Sequence, residues 1–311
     1  MSEQKLEVFN VLDFLNKGNE LEDILNKKFG TFSSAEECIK YLVEEGYLEG
    51  DVEVAADVEI TAEYISKNYV VSELKDILRE NGLKVSGKKQ ELVERVLPVL
   101  KEASDASNLD ANVDAKKSFN NLELTDKAFE FLKENEWIDL YLFALVAFRF
   151  EDYETYYNAS DAGSVETALN FCDEILSRAL VANQFLVFID ALSAKANVYA
   201  YDGDYGSFMD YDLQRYIIGL NPIVMDAQTY ASYDIISKAN ILNLKSVTEN
   251  LDMGSLKKRF DKIWNKSHIK HATVPKKTCF KILQRAIDGA DIEELNFELR
   301  EKFFNKKYGI E

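Results

Sequence analysis

Residues 71–97 read VSELKDILRENGLKVSGKKQELVERVL, and this stretch carries the clearest structural signal in the chain. Three apolar residues follow the i, i+3, i+4 spacing of one buried helix face: Leu74, Ile77 and Leu78. Ser72 can cap this helix at its start, and Gly82 suits the left-handed position that ends it. Leu83 is then the apolar residue that packs back on Leu78 in a Schellman-type stop.

A second helix is predicted to begin near Gly87, after a short loop that contains Ser86. Its inward face consists of Leu92, Val93 and Val96, and Pro98 is expected to end or kink it. Two short helices bury little apolar surface. We therefore expect this pair to need packing from neighbouring segments, or a ligand, to persist.

Basic residues are concentrated where the second helix starts. Lys88 and Lys89 fall in its first turn, where a cation opposes the helix dipole at a cost of about 0.3–1 kcal/mol each. The placement becomes favourable if a phosphate binds there, because free backbone N–H groups and two ammonium groups would converge on it. Lys75 and Arg79 lie one turn apart on the first helix, and Lys84 lies in the loop.

This segment resembles the SAP motif, a helix–loop–helix DNA-binding module of chromatin-associated, repair and some viral proteins. The apolar, glycine and basic positions of that motif are met in register by Val71, Ser72, Glu73, Leu74, Lys75, Leu78, Gly82, Leu83, Ser86, Gly87, Lys89, Leu92, Val93 and Arg95. The resemblance implies binding to double-stranded DNA, often AT-rich. It implies contacts by Gly87, Lys88 and Lys89. The further candidate DNA-binding residues are Lys75, Arg79, Lys84, Ser86 and Arg95.

An alternative interpretation is a small helical hairpin with solvated lysines, or a protein-docking module. The DNA-binding interpretation predicts about three to five phosphate contacts, and hence micromolar, salt-sensitive affinity.

The net charge of −18 is unusual for a nucleic-acid binder, but the charge is segregated. Residues 1–70 and 102–253 are strongly acidic, whereas residues 71–101 and 254–311 carry a net positive charge. Such a field repels polyanions from most of the surface and admits them at the two basic segments.

The second basic segment, residues 254–285, holds ten Lys and Arg residues against one Asp. It is interpreted either as an auxiliary contact to nucleic acid or as an internal electrostatic match to the acidic residues 102–253. The candidate auxiliary DNA-binding residues are Lys257, Lys258, Arg259, Lys262, Lys266, Lys270, Lys276 and Lys277.

The whole pattern predicts a mainly α protein, since apolar residues recur at helical spacing and the chain has three prolines. We predict an acidic helical N-terminal region at 1–60, the SAP-like module at 61–101, a polar linker at 102–120 and a larger α-helical bundle domain at 121–311. Residues 52–60 are expected to be a short strand or a connector. Helices are predicted within 5–46 and over 164–182, 184–200, 207–219, 226–244, 254–267, 276–288 and 291–306.

Other sequence signals are weak. The three cysteines form no CxxC pair, and no leader is visible, which together favour a reducing, intracellular location. The apolar stretch 140–148 is too short for a membrane span. His268 with His271, and the aspartates of residues 202–212, lack the spacing of a metal site. No Walker A, GxGxxG, GxSxG or HExxH motif occurs, so no catalytic residue, cofactor or metal is predicted.

These observations favour a non-enzymatic DNA-binding adaptor whose helical domain self-associates or binds a partner protein. A phage or viral origin is expected from the resemblance. Two alternatives stay open: a metal-dependent nuclease or recombination factor delivered by the module, and a virion or scaffold protein that uses the module for protein docking.

Overall fold

The computed structural model describes residues 2–19, 22–25, 29–52, 61–62, 65–66, 69–106, 119–223, 233–248 and 253–308, and these are mainly α-helical, as predicted. The helices are α1 (Ser2–Asn16), α2 (Glu22–Leu25), α3 (Ala35–Glu44), α4 (Val71–Glu80), α5 (Lys89–Ala106), α6 (Asp126–Glu134), α7 (Trp137–Leu140), α8 (Phe150–Asn158), α9 (Ser164–Val181), α10 (Phe185–Tyr201), α11 (Tyr205–Leu220), α12 (Lys238–Thr248), α13 (Met253–Lys266), α14 (Lys276–Ile287), α15 (Ile292–Leu299) and α16 (Asn305–Tyr308). Two π-helical turns, Tyr141–Leu145 and Arg300–Phe304, follow α7 and α15.

The chain divides into two compact units. The small unit comprises residues 14–28 and 33–129, and the large unit comprises residues 1–13, 29–32 and 130–311.

A two-stranded antiparallel sheet belongs to the small unit. Strand β1 (Leu48–Val52) pairs with β2 (Phe119–Leu124), with Leu48 opposite Leu124. The hydroxyl of Thr125 donates to the Gly46 carbonyl at 2.7 Å, which ties the end of β2 to the turn before β1. Of the stretch 52–60, predicted as a short strand or a connector, only Val52 belongs to β1, and residues 53–60 lie outside the described residues.

The predicted polar linker at 102–120 is partly structured. Helix α5 continues through Pro98 to Ala106, so of the two expected effects of Pro98, an end or a kink of the helix, the first is wrong. Residues 101–106 (KEASDA) contain no glycine or proline to stop it. Residues 119–120 belong to β2, and residues 107–118 lie outside the described part of the chain.

The core around α4 and α5 matches the predicted apolar faces. The fully or almost fully buried residues are Ile65, Leu74, Leu78, Leu92, Val93 and Val96. Ile77 is partly buried against them, as is Tyr69. Ile65 and Tyr69 precede the helix pair, so a neighbouring segment supplies the packing that two short helices need.

The large unit contains two main apolar clusters. One is formed chiefly by α11 to α15, with Phe260 and Phe304 fully buried. The other places Trp137 and Tyr153 together with Phe9 of α1. Trp137 and Tyr141 are buried in this unit, whereas Phe143 is 55% exposed. The π-helical turn changes the angular spacing there, and Leu145 is buried instead.

One predicted helix is partly wrong. Of the expected helix 226–244, residues 226–232 lie outside the described residues, residues 233–237 are not helical, and α12 begins at Lys238. Asn296 explains the difference, because its side chain bonds both backbone groups of Ile236. Its amide oxygen accepts from the Ile236 N–H at 2.7 Å, and its amide nitrogen donates to the Ile236 carbonyl at 3.0 Å.

Candidate nucleic-acid interface

Helix α4 begins at Val71, with Val70 as its N-cap, so the prediction that Ser72 caps it is wrong. The Val70 N–H donates to the Glu73 carboxylate at 2.8 Å. Glu73 therefore supplies the reciprocal half of a capping box, and the chain becomes helical before Ser72.

The end of α4 has the predicted Schellman geometry. The Leu83 N–H donates to the Leu78 carbonyl at 2.7 Å, and the Gly82 N–H donates to the Arg79 carbonyl at 3.1 Å. Gly82 has a φ of +66°, which favours glycine. The Leu83 side chain, however, stays 41% exposed and adds little to the core.

The loop between α4 and α5 is closed by Arg95. Its Nη1 donates to the Lys84 carbonyl, and its Nη2 donates to the Ser86 carbonyl at 2.7 Å. The same guanidinium lies 3.7 Å from the Glu91 carboxylate. Arg95 was predicted as a DNA contact, and in this structure its donors face the loop backbone.

Lys88 and Lys89 lie at the start of α5, as predicted. The Lys88 carbonyl accepts from the Leu92 N–H at 3.1 Å, so Lys88 takes the N-cap position and the helix starts just after it. Lys88 is exposed and Lys89 is half-buried. Among the described side chains, neither lysine forms an ion pair. The N–H groups of the first turn have no intrahelical acceptor.

A concave region of about 650 Å³ lies beside this helix start. Among the described residues, its lining consists of Ala62, Ser66, Lys88, Lys89, Gln90, Val93 and Glu94. Ala62 and Ser66 are not predicted as part of the site, because nothing in their local sequence pattern indicates that they face α5. The recess combines two ammonium groups with the positive end of a helix dipole.

The other predicted residues of the module are less favourably placed. Arg79 is ion-paired with Asp76, and both side chains are mostly exposed. Lys84 is exposed, and Lys75 is half-buried. Glu91 was not predicted as part of the site, although its position four residues from both Gly87 and Arg95 is a signal that could have identified it.

Half of the auxiliary candidates in residues 254–285 are ion-paired. Arg259 Nε lies 2.5 Å from Asp210, and Lys262 Nζ lies 3.6 Å from the same carboxylate. Lys257 and Lys276 pair with Asp261 at 2.5 and 2.9 Å, and hydrogen bonding, above all from Lys257, lowers the pKa of Asp261. The exposed candidates that form no ion pair among the described side chains are Lys258, Lys266, Lys270 and Lys277.

The aspartates of residues 202–212 have separate structural roles. Asp204 caps α11 by accepting from the Ser207 N–H at 2.9 Å, and hydrogen bonds from Ser207 lower its pKa. Asp212 is 1% exposed, so its carboxyl group is buried in the large unit. Burial raises the pKa of Asp212 to about 6.

The described residues contain no cluster of three or more His, Cys, Asp or Glu side chains that could hold a metal ion. His268 and His271 are both exposed. None of the helices in the described ranges has both the length and the apolar character required to cross a membrane.

Comparison with known proteins places one segment of the chain in a family. No match was found among curated proteins or among solved structures. Residues 66–101 match the family model of the SAP domain, which confirms the resemblance seen in the sequence and indicates a capacity to bind nucleic acid.

Proposed function

We propose that the chain is a non-enzymatic DNA-binding adaptor. Its SAP segment binds duplex DNA through phosphate contacts at the start of α5, and its helical large unit self-associates or binds a partner protein. The proposal includes an intracellular location. On the family resemblance alone, it also includes a phage or viral source and a preference for AT-rich duplexes.

One observation carries the proposal. Lys88 and Lys89 lie at a helix N-terminus and, among the described side chains, have no carboxylate partner. Two cations in that position destabilise the isolated helix, because they oppose its dipole. A phosphate oxygen would accept hydrogen bonds from the first-turn N–H groups and interact favourably with both ammonium groups, so binding removes the conflict.

The size of the site limits its affinity. About three to five phosphate contacts correspond to a slope of log K against log salt of roughly −3 to −4.5. The chain carries a net charge of −18, which opposes approach to DNA everywhere except at the basic segments. We therefore expect micromolar affinity and modest sequence preference, and this suits a tether better than an operator-specific regulator.

The test is charge reversal at the helix start. Lys88→Glu with Lys89→Glu should weaken duplex binding at least about tenfold and reduce the salt slope by about two, since two phosphate contacts are lost. Fluorescence anisotropy with labelled AT-rich and GC-rich duplexes, at two salt concentrations, measures both quantities.

The matched control is Lys133→Glu with Lys238→Glu, which makes the same change in net charge at two exposed lysines of the large unit. This control should bind within about twofold of the wild type, because exposed charges that make no phosphate contact are largely screened. If the binding curve of the Lys88/Lys89 variant overlays that of the wild type, Lys88 and Lys89 are not the DNA-binding site. Self-association without any binding to duplex would instead favour a scaffold protein.

A further inference from the structure

Three residues of the SAP segment form a compact arrangement at i, i+4 and i+8. Gly87 precedes α5, and Glu91 and Arg95 follow on the same side of the helix. Arg95 spans the loop with two donors, one to the Lys84 carbonyl and one to the Ser86 carbonyl at 2.7 Å. Its side chain is 28% exposed, so the guanidinium lies against the module and is not extended into solvent.

We propose that Arg95 is a positioning residue that fixes the 84–87 loop and thereby sets the direction of Lys88 and of the first turn of α5. This inference rests on the proposed DNA-binding function. Arg95 acts on DNA through the loop and makes no phosphate contact of its own.

The chemistry of the guanidinium supports this role. Its planar fork presents parallel N–H groups, and here two of its nitrogens bond two carbonyls that lie two residues apart in the loop. A phosphate bound to Arg95 would have to displace those carbonyls and would lie next to the Glu91 carboxylate. Both changes are unfavourable, because the carbonyls would lose a charged donor and two anions would be brought together.

Gly87 provides independent geometric support. Its φ is +141°, a conformation that L side chains rarely adopt. A Cβ built on Gly87 would lie 2.6 Å from Arg95 Nη2 and closer still to the Glu91 carboxylate. The space that a side chain would need is therefore already taken by Arg95 and Glu91, and the loop conformation depends on all three residues.

The experiment compares Arg95→Lys with Arg95→Gln. Lysine keeps the charge but lacks the fork, whereas glutamine removes both. We expect each variant to bind duplex about tenfold more weakly, because hydrogen bonds from a charged donor are lost, while the salt slope stays at the wild-type value. If Arg95 contacts phosphate, Arg95→Lys should retain the wild-type affinity and Arg95→Gln should lower the slope by about 0.9. Either result overturns the inference.

A measurement without DNA separates this inference from the proposed function. In the full-length chain, amide hydrogen exchange of the peptide that covers residues 84–90 should become faster in both variants, and exchange in the large unit should not change. Unchanged exchange in the loop overturns the positioning role even if DNA binding is confirmed. Faster exchange together with no binding of the wild type to duplex supports the role of Arg95 in the loop and refutes the DNA-binding proposal.

Discussion

The two basic segments of this chain, residues 71–101 and 254–285, differ more in surroundings than in composition. At the start of α5, Lys88 and Lys89 have no carboxylate partner among the described side chains. In the second segment, four cations pair with Asp210 or Asp261: Lys257, Arg259, Lys262 and Lys276. We therefore expect pairing, in addition to the number of basic residues, to affect how many cations of each segment an external polyanion can reach.

The paired cations of the second segment also support the fold. Arg259 donates to the Gly206 carbonyl at 2.5 Å, in addition to its bond to Asp210, and so links α13 to the start of α11. Lys257 lies 5.1 Å from the centroid of the Phe280 ring. Moving these side chains toward DNA would break contacts within the large unit, whereas Lys88 has no ion pair to break among the described side chains.

The largest predicted effect concerns Asp212, a buried carboxyl group of the acidic segment 102–253. Burial raises its pKa from 3.8 to about 6, and the positive charge of Arg215 and side-chain hydrogen bonds with Asn243 and Asn240 oppose part of that shift. The neutral form is favoured in the folded state, so this stabilising contribution is complete below about pH 4. It is lost as the pH rises to about 6. Asp212→Asn keeps the group neutral and should raise the free energy of unfolding by up to about 3 kcal/mol at pH 7.

Urea unfolding at pH 4.5 and pH 7 measures this effect. The gain for Asp212→Asn should be smaller at pH 4.5, and the exposed Asp161→Asn should change little at either pH. If Asp212→Asn lowers the free energy of unfolding at pH 7, favourable contacts of the ionised carboxylate outweigh the cost of its burial. The large unit and the SAP segment would then differ less in charge pairing than their contacts indicate.

The next effect compares two glycines of the SAP segment that both have positive φ. Gly82→Ala places a Cβ in open space, whereas Gly87→Ala places one against Arg95 and Glu91. Backbone strain of about 1–3 kcal/mol applies to both, but the collision applies to Gly87 alone. We therefore expect Gly87→Ala to reduce DNA affinity about tenfold. Gly82→Ala should lower thermal stability and leave affinity within about twofold of the wild type, since the start of α5 stays intact.

Anisotropy titrations and thermal unfolding of both variants provide the measurement. Equal losses of affinity would mean that global destabilisation of the helix pair, and not the conformation of the 84–87 loop, controls binding.

Local patterns were sufficient to predict the helix pair and its stop. The spacing of Leu74, Leu78 and Leu92 sets the buried faces, and Gly82 ends α4 because the left-handed residue is a local requirement. The candidate lysines at the start of α5 were also correctly placed, since their position follows from the same helix boundaries.

Long-range contacts account for what the sequence did not predict. Strand β2 forms because β1, some 70 residues earlier, offers it a pairing partner. The segment before α12 is held out of a helix by Asn296, which is distant in sequence. Arg95 carries a charge that is typical of a phosphate contact. Its role in the 84–87 loop depends on the loop carbonyls beside it, and the sequence pattern does not indicate their position.

The smallest predicted effect tests whether ion pairs within the large unit prevent the cations of residues 254–285 from binding DNA. Asp210→Asn removes the carboxylate that pairs with Arg259 and Lys262. We expect stability to fall by about 1 kcal/mol or less, because the pair is only partly buried. Affinity for a long duplex at low salt should rise about two- to fourfold, and the salt slope should become steeper by up to about 1.8 as two cations become available.

Asp161→Asn is the control, since it makes the same change in net charge at an exposed position outside residues 254–285. If both variants raise affinity equally with an unchanged salt slope, the gain comes from net charge alone. Residues 254–285 would then contribute no phosphate contacts even when their cations are released, and the difference between the two segments would lie in their location as well as in their pairing.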